Sequence, residues 1–302
     1  MNNGSAFHEL VAAHPPCDAS KHSSADRNAA QRCKVLLSVD DAYAGILATL
    51  ERFELLDNTY VLVTSDHGFN LGNHMLSSGK FLPYDHALHI PMLFMGPGIA
   101  PNSTLDVLGT QVDLAPTILG LAGIDTPDYM DGRSVASLLV DKHGGSAVHS
   151  STRASPATRT SICFEYYNQG RWPRWPHTAL DDWSNTYVGI HFRDSSESWK
   201  FAVFDAYGKQ SNFSSPYVYQ LFDLASDPFE LHNVCGDVLQ RRPELVAMLN
   251  ETTYAWFACK GTECPWRLLA HNLSLLKGGT RFLWCPGRPV GCNSRTRVCC
   301  LQ

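Results

Sequence analysis

No stretch of these 302 residues holds about 18 consecutive apolar residues, so no membrane-spanning helix is expected. Positive charge is not in excess either. The 24 Lys and Arg stand against 29 Asp and Glu, a net charge of −5, whereas a general nucleic-acid binder would show a basic patch. The first residues, MNNGSAFHELVAAHPPCDAS, carry neither a basic n-region nor an apolar h-region and do not read as a signal peptide. No internal repeat of about 20 to 50 residues is visible. What remains is an ordinary globular composition, 44% hydrophobic and 18% charged, with length for about two domains.

Cysteine is plentiful by contrast. Ten cysteines accompany five N-x-S/T sequons, at Asn3, Asn102, Asn212, Asn250 and Asn272. Both features suit an oxidising, glycosylating compartment; the alternative is a cytosolic chain with free thiols and idle sequons. Cys259 and Cys264, in CKGTEC, are placed to close a small loop disulfide, and Cys17 and Cys33 are a second candidate pair. Residues 259–302 form a Cys-rich tail with Cys285, Cys292, Cys299 and Cys300. Their spacing gives no clean tetrahedral zinc pattern, which favours disulfides.

Residues 1–34 are polar and lack periodicity, and are expected to be disordered. From Val35 to Leu56 apolar residues recur at helical spacing, predicting an amphipathic helix of about five turns. Asp40 and Asp41 fall on its solvated face. Tyr60 to Thr64 is a short apolar, β-branched run that reads as a buried parallel strand, so helix feeds strand in an α/β unit. Residues 109–124 predict a short helix with Asp113 near its start. Residues 35–145 make one unit, and the Ser/Gly-rich stretch 146–160 reads as a linker. Residues 161–258 are β-rich, with strand composition at 160–167, 186–192 and 199–203 and a closing helix at 244–257.

The chemistry concentrates between Tyr60 and Gly98. Ser65-Asp66-His67-Gly68 follows the first strand at its carboxyl end, where open α/β sheets place ligands. A carboxylate beside an imidazole, with a Gly freeing the backbone, makes half of a metal site. Lys80 comes next, then a second apolar run, Ile90 to Met95, ending in Gly96-Pro97-Gly98. Together with Leu71-Gly72-Asn73-His74, Tyr84-Asp85 and His89-Ile90-Pro91-Met92-Leu93, this pattern resembles the second metal-binding segment of the type I sulfatases, in their glucosamine-6-sulfatase and iduronate-sulfatase flavour. Asp131-Gly132-Arg133-Ser134, and Tyr219 to Leu231 with its Asp227-Pro228-Phe229-Glu230 turn, extend the likeness.

The resemblance implies an α/β fold: part of an alkaline-phosphatase-like sheet-and-helix domain, followed by a small antiparallel α+β C-terminal subdomain. It implies calcium on Asp66 and His67, Lys80 on the substrate sulfate, and His74 as a further catalytic or supporting candidate. It implies a sulfated saccharide as substrate and a lysosomal or extracellular place in the secretory pathway. The family's nucleophile is a formylglycine made from the Cys of C-x-P-x-R, and that segment does not occur here. Cys17 lacks the Pro and Arg, Cys285-Pro286-Gly287-Arg288 has the wrong spacing, and Ser155-Pro156-Ala157-Thr158-Arg159 lies after the metal strand. The expectation is therefore a fragment, whose partner is an upstream half of the same enzyme. A bare apolar face or open sheet edge should follow. Two other readings stand beside it. One is a phosphate or phosphonate ester hydrolase of the same superfamily. The other is a catalytically inactive glycan- or partner-binding protein, carried by Trp172, Trp175 and Trp183 with Arg171, Arg174 and His177.

Overall fold

A computed structural model describes residues 19–76, 79–140, 159–167, 185–205, 213, 216–261 and 264. The chain opens with helix α1, Ala19–Arg52. Residues 19–34, expected to be without structure, are thus helical. Ala25, Ala29, Ala30, Gln31, Arg32 and Lys34 are strong helix formers that need no apolar stripe, so periodicity alone missed them. After a 3-10 turn at Leu56–Asn58 comes strand β1, Val61–Thr64. A short helix α2, Asp85–Leu88, leads to strand β2, Met92–Met95. β1 and β2 pair antiparallel, with Val61 opposite Met95. This corrects the expected parallel strand, and all four β1 residues are only half-buried. β-branched apolar content marks a strand but not its direction.

Next come a 3-10 turn, Gln111–Asp113, helix α3, Leu114–Leu121, and helix α4, Ala136–Leu139. Asp113 lies at the helix start, as expected, and closes a capping box with Thr110. Its carboxylate accepts from Thr110 N and Arg133 N and forms a buried bidentate pair with Arg159. Arg159 was expected in a linker; most of that linker, 146–158, lies outside the described residues, as do the tryptophan-bearing insert and the Cys-rich tail beyond 264.

The C-terminal unit is a four-stranded antiparallel meander: β3, Ser161–Tyr166; β4, Thr186–Arg193; β5, Ser198–Asp205; and β6, Pro216–Asp223. Helices α5, Cys235–Arg241, and α6, Pro243–Ala258, close it. Side chains alternate across a strand, so each strand serves two faces. Val188, Ile190, Phe201, Val203 and Leu221 pack on Leu245, Val246, Leu249 and Trp256. Tyr187, Ala202, Phe204 and Phe222 pack the other way, on Leu76, Leu82 and Tyr84. Burial on both sides explains why β5 reads Trp-Lys-Phe-Ala-Val-Phe with almost no polar alternation. The second face presses against the segment that carries Lys80.

Cys259 and Cys264 form the predicted disulfide. The loop they close reaches back to the first unit, where Gly261 N donates to Asp131 Oδ1 at 2.5 Å.

Candidate functional site

β1 ends in the turn Ser65-Asp66-His67-Gly68, and local bonds fix its shape. Thr64 Oγ1 donates to Pro91 O (2.9 Å), Ser65 Oγ to His67 O (2.8 Å) and His67 N to Asp66 Oδ1 (3.0 Å). Gln111 Nε2 reaches in from before α3 and donates to Ser65 O (2.8 Å) and Asp66 O (3.1 Å). The amides of Gly68 and Phe69 donate to Ala87 O and His86 O of α2, at 2.8 and 2.9 Å. A Cβ on Gly68 would lie 2.0 Å from His86 O, so only glycine permits this approach.

Three predicted site residues meet here. Asp66 Oδ2 lies 3.1 Å from His67 Nε2, and Lys80 Nζ contacts the same nitrogen. His67 Nδ1 sits 2.7 Å from Gly68 O, a pure acceptor that suits an Nδ1–H. Asp66 Oδ2 and Lys80 Nζ thus both lie against His67 Nε2. The side chain of Asp66 is 81% exposed and that of His67 33%, which leaves the pair open to further ligands.

These two donors fit a divalent cation as part of a ligand set. The carboxylate suits calcium, and the neutral imidazole suits a softer divalent ion better. Calcium takes about six to eight oxygens, and among the described residues no group of three or more His, Cys, Asp or Glu could hold a metal. Asp66 and His67 would supply two of the ligands such an ion needs.

His74 is placed differently. It has a left-handed backbone (φ 49°), and its ring stacks on Tyr84 at 3.9 Å and lies 5.3 Å from His86. Burial, then the charge of Lys200, lowers its pKa to about 4. Burial, with His74 and Lys200, takes His86 to about 3. Both rings are therefore neutral near pH 7. Tyr84 is fully buried, and burial pushes its phenol far up. Asp40 and Asp41 are exposed, as expected of a solvated helix face, and His89 is exposed too.

Sequence reasoning missed the supports of this site. Gln111 lay in a segment read only as a helix start. Asn185, Lys200, Gln220 and Glu230 come from the C-terminal unit. For Lys200 a signal existed: a lone charge in a strand whose neighbours are all apolar has to find a buried partner.

Residues 6–124 match the family described as "Sulfatase", and residues 72–255, more than half of the chain, match "N-sulphoglucosamine sulphohydrolase, C-terminal". The N-acetylglucosamine-6-sulfatase of Bos taurus is 30% identical over 280 residues, which is 87% of this chain and 46% of that protein. An extracellular sulfatase SULF-1 homolog of Drosophila melanogaster is 41% identical over 113 residues, 37% of this chain and 10% of that one. A protein solved in complex with its substrate D-glucosamine-2-N,6-O-disulfate superposes with TM-score 0.53 and 27% identity, covering 72% of this chain and 39% of its own. The chain thus spans less than half the length of these relatives. By the match that runs through more than half of its residues, and by the fold it shares with solved sulfatases, the chain belongs to the sulfatase family.

Proposed function

We propose that the chain forms part of a sulfuric ester hydrolase acting on sulfated sugars. The observation that carries this is the meeting of Asp66, His67 and Lys80 at the carboxyl end of β1. The substrate bound to the solved neighbour and the name of the Bos taurus relative point to sulfated glucosamine units. Asp66 and His67 would hold a divalent cation, calcium on the family resemblance, which supplies positive charge beside the sulfate oxygens when bound. Lys80 would place its ammonium on a sulfate oxygen and neutralise the charge that grows as the ester S–O bond breaks. Gln111 and α2 hold the turn while this happens, so donors need no rearrangement. His74, neutral and stacked, would support the Tyr84 side of the Lys80 segment.

The nucleophile and the remaining metal ligands would come from an upstream half of the enzyme. Two features support such a partner. The apolar side chains of α1 stand in solvent: Val35 is 64% exposed, Leu37 64% and Ile46 52%, with Phe53, just past its end, at 62%. Also, β1 pairs only with β2 among the described strands, leaving its second edge open. The disulfide at Cys259–Cys264 supports a lysosomal or extracellular compartment.

The test supplies the upstream half in trans and compares the wild-type chain with Lys80→Ala. Turnover of glucosamine-6-sulfate should fall about a hundred- to a thousandfold, the usual loss for one transition-state charge contact. Unchanged turnover removes Lys80 from the site. A native protein that carries no formylglycine, on this or any associated chain, overturns the enzyme reading.

A further inference from the structure

The C-terminal sheet buries polar side chains that the chemistry above does not use. Lys200 is 2% exposed, Glu230 1%, and Asn185 and Gln220 are fully buried. All four grip one short segment. Lys200 Nζ lies 2.6 Å from Asp85 Oδ1 and 2.6 Å from Glu230 Oε1. Glu230 Oε2 accepts from Asp85 N at 2.6 Å. Asn185 Nδ2 donates to Phe81 O at 2.9 Å, and Gln220 Nε2 to the Tyr84 hydroxyl at 3.3 Å. The gripped segment begins beside Lys80 and ends at Asp85, the first residue of α2. That helix in turn takes the amides of Gly68 and Phe69, which follow Asp66 and His67 directly. A continuous run of hydrogen bonds therefore joins the C-terminal sheet to both ends of the site.

Stability alone does not call for this arrangement. Well-packed apolar side chains serve a sheet face as well as a buried ion pair or better, and the neighbouring positions Ala202, Phe204 and Phe222 are apolar. What a charged and hydrogen-bonded grip adds is definition of a loop that apolar contacts would leave free to slide. We propose that Glu230, Lys200 and Asn185 are positioning residues that set Lys80 against the Asp66–His67 pair. The proposal rests on reading Lys80 as the anion contact.

The test uses the full chain, selectively 13C-labelled at lysine Cε, with the Lys80 signal assigned by its loss in Lys80→Arg. Inorganic sulfate is titrated into wild type and Glu230→Gln, and the amide signals of Gly68, Phe69 and α6 are followed. Expected for Glu230→Gln are shifted Gly68 and Phe69 signals, unchanged α6 signals, and a sulfate Kd at Lys80 weaker by about tenfold, one charge-assisted hydrogen bond's worth. A variant that melts earlier but keeps wild-type Gly68 and Phe69 signals and wild-type sulfate affinity overturns the proposal, because its role is then stability alone. If Glu230→Gln does not fold, Asn185→Ala removes the bond to Phe81 O without touching the buried charges, and is judged by the same two results. If Lys80 of the wild-type chain ignores sulfate, the sulfate-ester reading fails, and the amide signals alone decide whether the grip exists.

Discussion

Lowering the pH from 7.5 to 5.5 should cost this chain several kcal/mol of stability, and the loss has identifiable sources. Burial is the first cause in each of three histidines held below the ordinary value of 6.5: His74 at about 4, His86 at about 3 and His191 at about 4. They share the field of Lys200, with Asp85, Asp227, His89 and Arg193 as the other charged or titratable neighbours. Between 6.5 and the folded values the unfolded chain binds these protons and the folded chain does not. Stability is therefore whole above 6.5 and declines as pH falls through it. At pH 5.5, one unit below, each ring contributes a loss of about 1.4 kcal/mol, roughly 4 kcal/mol together before screening. Glu230 has the opposite sign: burial raises its pKa against the pull of Lys200, so as pH falls the folded state takes up this proton before the unfolded chain does. Asp85 falls outside this window. Burial opposes its charge, but Lys200 prevails and holds it below 3.8, so its contribution is lost only in stronger acid. With screening at half-buried rings the net expectation is about 3 kcal/mol. Urea unfolding followed by circular dichroism at both pH values measures it. His86→Phe keeps a ring beside Tyr84 and removes one titration, so it should lose about one third of the pH effect. Equal stability at the two pH values, or a His86→Phe chain with the full wild-type effect, would refute the reasoning.

Three further outcomes are expected. Gly68→Ala puts a methyl 2.0 Å from His86 O and must push the turn off α2; the cost is about 1–3 kcal/mol in urea, with faster hydrogen exchange at Gly68 and Phe69. Arg159→Met strips the guanidinium from Asp113, in a pair whose side chains are 0% and 3% exposed; a loss of about 3–5 kcal/mol is expected, and a melting temperature within a degree of wild type would count against a buried pair. Secretory expression should glycosylate Asn102, which is exposed in a turn with φ 52°, but not Asn250, buried in α6 with Thr252 fully buried behind it. Peptide mapping that found sugar on Asn250 of the folded protein would contradict that burial.

What could be read from the sequence was local. The β1 run, the Asp66-His67-Gly68 turn, the spacing to Lys80, three strands of the meander, the closing helix and the Cys259–Cys264 loop all announce themselves within about fifteen residues. What could not be read depends on distant partners. Strand direction in β1–β2 depends on where the chain returns after 27 residues, as in the Thr64–Pro91 bond. Arg159 looked like linker because its partner Asp113 lies 46 residues away. Glu230 stood in a motif already noted, yet nothing local says that its carboxylate reaches Asp85, 145 residues upstream. Local sequence proposes which side chains carry chemistry; long-range pairs decide how they are held.

The two sides of the first unit differ in a way that bears on the site. Toward the C-terminal sheet the interface is finished: Leu76, Leu82 and Tyr84 are at most 3% exposed, and the buried charges there have partners. Along α1 nothing comparable has happened, and apolar side chains at least half exposed run from Val35 to Phe53. Each such side chain forgoes about half of the roughly 1.5–3 kcal/mol that full burial gives, which a solitary surface helix would avoid by carrying polar residues there. β1 connects the two conditions, since it starts behind α1 and ends in the Asp66–His67 turn. On the proposed reading the half-site is therefore half-built for a reason visible in the packing. On that reading the sheet behind Lys80 would hold one set of ligands in place, and the apolar face of α1 is what an upstream half would cover as it brings the other.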